Sequence, residues 1–322
     1  MKKLIFVGLA LALVGTFVVA RARAPERVRI NPMIDLLEQQ QPVFGVYAPR
    51  SGRGAEAARS PAELAREALA YQATDFIFDG SMEGNFERGY PGLEAFARGM
   101  AEAGVLRTDP APRLSHPLVV KMHEIAPDPA LAAANIARQL DLGVSTVVFV
   151  GVESAAELRT GVAAMRYAAQ GGTRPDRVGS APAYWGITEE EYRARADVWP
   201  LNPEGELVAW AIVESHEGLA NLRAIAAVPG VAVLFPGAGT LRGVFTSTDE
   251  NGERVLDAEG WEGAIQQVLA ACKEFDRACG YPANASDIET RMAQGFSVFI
   301  MGWGEAGFEA VEIGRGAAGR TG

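Results

Sequence analysis

The stretch "HPLVVKMHE" ends in Lys121, Met122, His123 and Glu124, the densest polar cluster at any predicted strand end in the chain. A desolvated lysine can act as an imine-forming amine or as a base, and a histidine moves protons near neutral pH. Side-chain alternation along a strand sends Lys121 and His123 to one face and Met122 to the other. In "LVAWAIVESHEGLANL" an apolar, β-branched run stops at Glu214, with Ser215 and His216 behind it. A charge at the end of a buried strand, just ahead of a helix, is the usual address of chemistry in α/β folds. Asp79 closes "TDFIFDG" in the same way and joins the catalytic candidates Lys121, His123 and Glu124. Glu83 and Glu153 are further carboxylates near strand ends.

Other residue types suit binding. The turn "FPGAGTLRG" misses the dinucleotide spacing G-x-G-x-x-G by one residue and comes late in the chain, so a Rossmann reading gains little. Its Gly237, Ala238, Gly239 and Thr240 can still offer backbone N–H donors to an anionic substrate. Tyr184 and Trp185, in "YWGI", are expected to line an aromatic substrate pocket. His116 precedes Pro117 where a strand starts, the stability end of a barrel, and reads as structural.

These candidates require a scaffold that alternates strands with helices. Val43 to Tyr47 reads as a strand, and "SPAELAREALAYQA" as a helix with a serine cap and proline in its first turn. Then follow "FIFD", the helix "PGLEAFARGMAEAG" closed by glycine, "HPLVVKMHE", "DPALAAANIARQLDLG", "VSTVVFVGVE" and "SAAELRTGVAAMRYA". The pattern resumes at "ELVAWAIVE" and runs through "VAVLFPGAG" and "GYPANAS" to "FSVFIMGW". Eight strand candidates between helices predict an α/β (β/α)₈ TIM barrel in a single domain, residues 25–322. Residues 170–206 are too long for a plain connector and are expected to be an insertion or a functional lid.

The first 24 residues read as a secretory signal peptide: a Lys2-Lys3 start, an apolar run from Leu4 to Ala20, and Ala22-Arg23-Ala24 as cleavage signature. The expected location is periplasmic or secreted, with an N-terminal membrane anchor as the alternative. No second long apolar run appears. Cys272 and Cys279 fall on one predicted helix that closes at Gly280. Two helical turns would separate them by about 10 Å, beyond the roughly 7 Å reach of a disulfide, so two free thiols are expected. The 322 residues are 48% hydrophobic and 22% charged, with a formal net charge of −10 and no basic cluster. That balance argues against nucleic acid as a partner and for a small-molecule substrate.

In their order and spacing, "FIFDG", "TVVFVGVESAAELRTGVAAMRY", "AIVESHEGLANLRAIAAVPGVAVLFPGAG" and "FSVFIMGW" resemble the HpcH/HpaI aldolase/citrate lyase family, from about Ser60 to about Trp303. The resemblance implies a (β/α)₈ barrel that makes or breaks carbon–carbon bonds beside pyruvate-like groups. It also implies a divalent metal, Mg²⁺ or Mn²⁺, held by a Glu after the fifth strand and an Asp after the sixth. Here Glu214 matches the Glu, while Gly239 stands where the Asp would be. The family's D-G-E-H is Asp79-Gly80-Ser81-Met82, and its Arg after the third strand is Lys121. Family members are usually oligomers built through a C-terminal helix, so a homo-oligomer is implied, although the tail turns glycine-rich early. The reading is an exported, diverged aldolase-like lyase for a small oxo-acid or aldehyde. The alternative is a non-catalytic small-molecule binding protein, or a barrel turned to different chemistry.

Overall fold

Apolar runs bounded by turn residues become parallel strands, and the 3.6-residue patterns between them become helices that cover the outside. The computed structural model describes residues 28–50 and 59–320; the leader lies outside them. Eight strands are β1 (Val43–Tyr47), β2 (Phe76–Asp79), β3 (Leu118–Lys121), β4 (Thr146–Phe149), β5 (Leu207–Val213), β6 (Val231–Pro236), β7 (Ala278–Pro282) and β8 (Val298–Met301). They pair in the order β4-β3-β2-β1-β8-β7-β6-β5, all parallel, and β4 pairs with β5 to close the cylinder. The predicted (β/α)₈ barrel is the observed fold.

The interior follows from the pleat. Val43, Phe76, Phe78, Val119, Val148, Val208, Trp210, Ile212, Phe235, Val298 and Ile300 belong to one buried cluster inside the cylinder. Aromatic rings fill so much of this space that β1 and β7, each beside the strand that bears the ring, carry glycine. A Cβ on Gly45 would sit 2.0 Å from the Phe76 ring, and one on Gly280 would sit 2.1 Å from Phe235. Helix α1 (Pro32–Glu38) plugs the bottom, the N-terminal end of the strands, with Met33 and Ile34. Beside it Arg29 bonds the carbonyls of Gly205 and Pro203, and the Asn31 amide donates to Glu206 at 2.9 Å. Burial pushes the Glu206 carboxyl up, opposed by the Asn31 amide and by Arg195 and Arg29.

Outside, α2 (Pro61–Ala70) and α3 (Phe86–Glu102) pack side by side. Helix α3 begins five residues before the expected Pro91, because the Asn85 side chain caps the Arg88 amide at 2.9 Å. Next come α4 (Pro129–Leu140) and α5 (Ala155–Met165). Residues 170–206 hold two short helices, α6 (Ala181–Trp185) and α7 (Glu189–Arg195), and they are not a lid. Trp185 Nε1 donates to the Gly143 carbonyl at 2.9 Å and Tyr192 Oη to that of Leu140, both just ahead of β4. The insertion therefore packs at the bottom, opposite the strand ends where the sequence placed the chemistry.

Past β5 the chain forms α8 (His216–Ala220) and α9 (Leu222–Ala226), then α10 (Ala238–Val244) after β6. Helix α11 (Ala258–Glu274) ends earlier than its sequence pattern suggests. Asp276 takes a left-handed conformation, φ 52°, and turns the chain into β7. Cys279 is thus on a strand, not on the helix, and its Cα returns to 5.6 Å from that of Cys272. The two form a disulfide, each residue 1% exposed, which corrects the expectation of free thiols. The last helices are α12 (Ile288–Gln294) and α13 (Glu305–Ala317). Helix α13 lies on its own barrel, burying Ala310, Val311 and Gly314, the last against Phe44 of β1.

Candidate active site at the barrel mouth

Inward positions alternate, so the residue two beyond the last interior side chain of a strand points into the mouth. On β3 that residue is Lys121, two after Val119; beyond β5 it is Glu214, two after Ile212; on β1 it is Tyr47, packed edge-on against Phe78 at 5.0 Å. Gly80 lies among them, since a Cβ there would meet Lys121 Cδ and Tyr47 Cε1, each at 3.8 Å. Tyr47 is a mouth residue that the sequence reading passed over. The signal was present in the inward spacing Val43, Gly45, Tyr47. Burial and then the Glu83 charge push its phenol up, against a smaller pull from Arg50.

Lys121 Nζ stands 2.7 Å from Glu83 Oε2, and the lysine side chain is 14% exposed. Lys121 thus enters the mouth with a carboxylate at its tip. Glu214 is fixed from two sides. The Gly151 amide donates to its Oε1 at 3.0 Å, and a Cβ on Gly237 would lie 2.4 Å from its Oε2. Gly237 is therefore a space requirement: any side chain there displaces the carboxylate. Glu124 rests on the other side of Gly151, its Cγ 3.0 Å from where a Cβ would be. Gly151 thus sits between two carboxylate side chains.

Several expected site residues lie elsewhere. His123 does not continue the alternation of Lys121, because β3 ends at Lys121 and the chain turns outward. Its ring packs edge-on to Phe86, with Nδ1 at 2.9 Å from the Glu124 carbonyl and Nε2 at 2.8 Å from Asn135 Nδ2. Tyr184 and Trp185 are buried at the barrel bottom and line no pocket at the mouth; they anchor the insertion. Asp79 accepts from the Ser81 amide at 2.7 Å and from its hydroxyl, holding the turn after β2. The Gly237 amide is used by the Val213 carbonyl, leaving those of Ala238, Gly239 and Thr240 at the start of α10. His216 is exposed and packs on Phe245. His116 is structural as expected: buried, with its ring nitrogens on Ser115 Oγ and the Tyr71 carbonyl.

A hard divalent cation wants several oxygen ligands. Among the described residues no group of three or more His, Cys, Asp and Glu side chains stands together. Of the other carboxylates at the strand ends, Glu83 is engaged by Lys121, Glu153 by Ser215 Oγ at 2.6 Å and Asp79 by Ser81, which leaves Glu124 across Gly151 as a single further carboxylate beside Glu214. Gly239 has no side chain to offer, and nothing lies within 4 Å of where its Cβ would be. The side chains of this mouth do not fit a divalent metal.

A family model for HpcH/HpaI aldolase/citrate lyase matches residues 98–303. The chain belongs to that family. Its relatives include a hydroxypyruvate/pyruvate aldolase of Chromohalobacter salexigens, 30% identical over 189 residues, which cover 58% of this chain and 68% of that protein. Among solved structures, an HpcH/HpaI aldolase/citrate lyase family protein from Burkholderia cenocepacia superimposes with TM-score 0.63 at 21% identity, over 84% of this chain and 92% of the other. An HpcH/HpaI aldolase from Desulfitobacterium hafniense follows with TM-score 0.61 at 16% identity, over 84% and 90%. These two likenesses concern the fold. Family membership makes the chain a carbon–carbon lyase of the HpcH/HpaI type.

Proposed function

We propose that this HpcH/HpaI barrel cleaves a small 4-hydroxy-2-oxo acid, with Lys121 as the electrophile and Glu214 as the proton acceptor. The observation that carries the reading is the placement of an ion-paired lysine and an amide-anchored carboxylate on inward positions of one mouth. Glu214 takes the proton of the C4 hydroxyl, the C3–C4 bond breaks, and an aldehyde leaves. The electron pair moves to the C2 oxygen, where the developing enolate faces the Lys121 ammonium. Protonation at C3 then gives the pyruvate-type product and returns the proton count to its start. A cation already held in place is effective at such charge development. The pyruvate-acting relative supports an oxo-acid of this size.

The reading includes export. The Leu4–Ala20 leader pattern and the buried Cys272–Cys279 disulfide both suit an oxidising compartment. No helix among the described residues is long and apolar enough to cross a membrane. The test is pyruvate release from a panel of 4-hydroxy-2-oxo acids, with and without chelator, beside Glu214→Gln. Release that survives chelation and is lost in the variant supports the assignment. Release that requires added Mn²⁺ or Mg²⁺ would refute it. The N-terminal mass of the protein recovered from the periplasmic fraction checks the leader.

A further inference from the structure

A cleft of about 550 Å³ opens beside the mouth, between the ends of β1 and β2 and helices α2 and α3. It shares Asp79 and Gly80 with the mouth, and Gly80 is the position that faces Lys121 and Tyr47. Its size falls in the range that holds a small organic ligand. The lining has two parts. Pro61, Leu64, Leu93 and Phe96 give an apolar wall, and Gly92 on α3 leaves that wall open, since nothing lies within 4 Å of where its Cβ would be.

Arg50, Arg59 and Arg88 give the polar part, against one carboxylate, Asp79, whose Oδ1 is taken by Ser81. Arg59 is paired with Glu67. Arg50 and Arg88 are exposed and enter no ion pair among the described residues. In a chain of net charge −10, two exposed guanidinium groups without an ion pair among the described residues, beside an apolar wall, suit an anion, and the wall suits one with an apolar body.

We propose that this cleft holds the part of the substrate distal to the reacting carbonyl, and that this part is a carboxylate on an aromatic or branched alkyl body. The assignment of the substrate rests on the lyase reading of the mouth; the binding itself does not. The body lies on Leu64, Leu93 and Phe96, the carboxylate meets Arg88 and Arg50, and the chain toward the reacting carbons passes Gly80.

Calorimetric titration of the protein with 4-methylbenzoate, 4-methylbenzamide and acetate separates charge from body. The expected order is 4-methylbenzoate at least about tenfold tighter than either of the others, the scale of a charge-assisted hydrogen bond. Arg88→Gln is expected to weaken 4-methylbenzoate about tenfold. Gly92→Leu fills the cleft and is expected to abolish binding with no loss of thermal stability, since glycine is a poor helix residue. An amide that binds as well as the carboxylate, or variants that bind like the parent, would overturn the cleft assignment. Binding without any turnover of 4-hydroxy-2-oxo acids leaves the cleft standing and removes the lyase reading. Turnover with no binding of 4-methylbenzoate does the reverse.

Discussion

Lys121→Met separates chemistry from packing more cleanly than any other substitution at this mouth. Methionine keeps an unbranched apolar stem beside Tyr47 and Gly80 and deletes only the ammonium. The stability cost follows from the ion pair it breaks. Lys121 and Glu83 stand 2.7 Å apart, but the Glu83 side chain is 42% exposed, so water replaces its partner. Such a half-solvated pair contributes at most about 1 kcal/mol. The catalytic cost is larger, because the ammonium faces charge that exists only as the enolate forms. Removing one preorganised donor from an oxyanion typically lowers kcat by about 10²–10³, or about 2.7–4 kcal/mol. The expected result is therefore a variant that unfolds within about 1 kcal/mol of the parent and turns over at least about a hundredfold more slowly. Coupled detection of pyruvate gives kcat and KM, and urea denaturation gives stability on the same preparation. A kcat within about threefold of the parent would refute the electrophile role. A stability loss of several kcal/mol would instead make Lys121 a structural residue.

Gly237→Ala puts a Cβ 2.4 Å from Glu214 Oε2 and 2.5 Å from its Cβ. It should cost about 1–3 kcal/mol in denaturant stability and most of the turnover; unchanged activity would show that Glu214 need not hold its observed position. Cys272→Ser opens the link between α11 and β7 and should lower stability by about 2–3 kcal/mol on loop-closure grounds, with the parent under reducing conditions showing the same loss. Burial depresses His116 below its ordinary value of 6.5, against the Tyr71 carbonyl. The folded state thus binds fewer protons than the unfolded one, and stability is present in full above pH 6.5 and falls as pH drops toward the folded value. Denaturation midpoints across that window should fall more steeply for the parent than for His116→Gln.

The strand alternation made the barrel legible, because each buried strand has its own apolar run and helices such as α2, α4, α5 and α11 have a side-chain cap. Glu214 was legible for the same reason: a carboxylate that ends such a run must be at a mouth. His123 was misplaced because a strand ends where its hydrogen bonds stop, and the alternation rule carries no information beyond Lys121. The disulfide was invisible because the helical pattern of α11 continues past Glu274, whereas the left-handed turn at Asp276 appears only in the backbone. Tyr184 and Trp185 show the limit for loops. Aromatic residues in a long connector have the same composition whether they face a ligand or a Gly143 carbonyl. The Lys121–Glu83 pair joins residues 38 positions apart across two strand ends, and local spacing does not report it.

The buried anchoring of Arg29 and Asn31 at the bottom of the barrel has a consequence for handling the protein. Val28, Arg29 and Asn31 stand at the end of the cylinder opposite Lys121 and Glu214. A label or linker attached through an exposed residue of that end leaves the open end, with Lys121 and Glu214, facing solution.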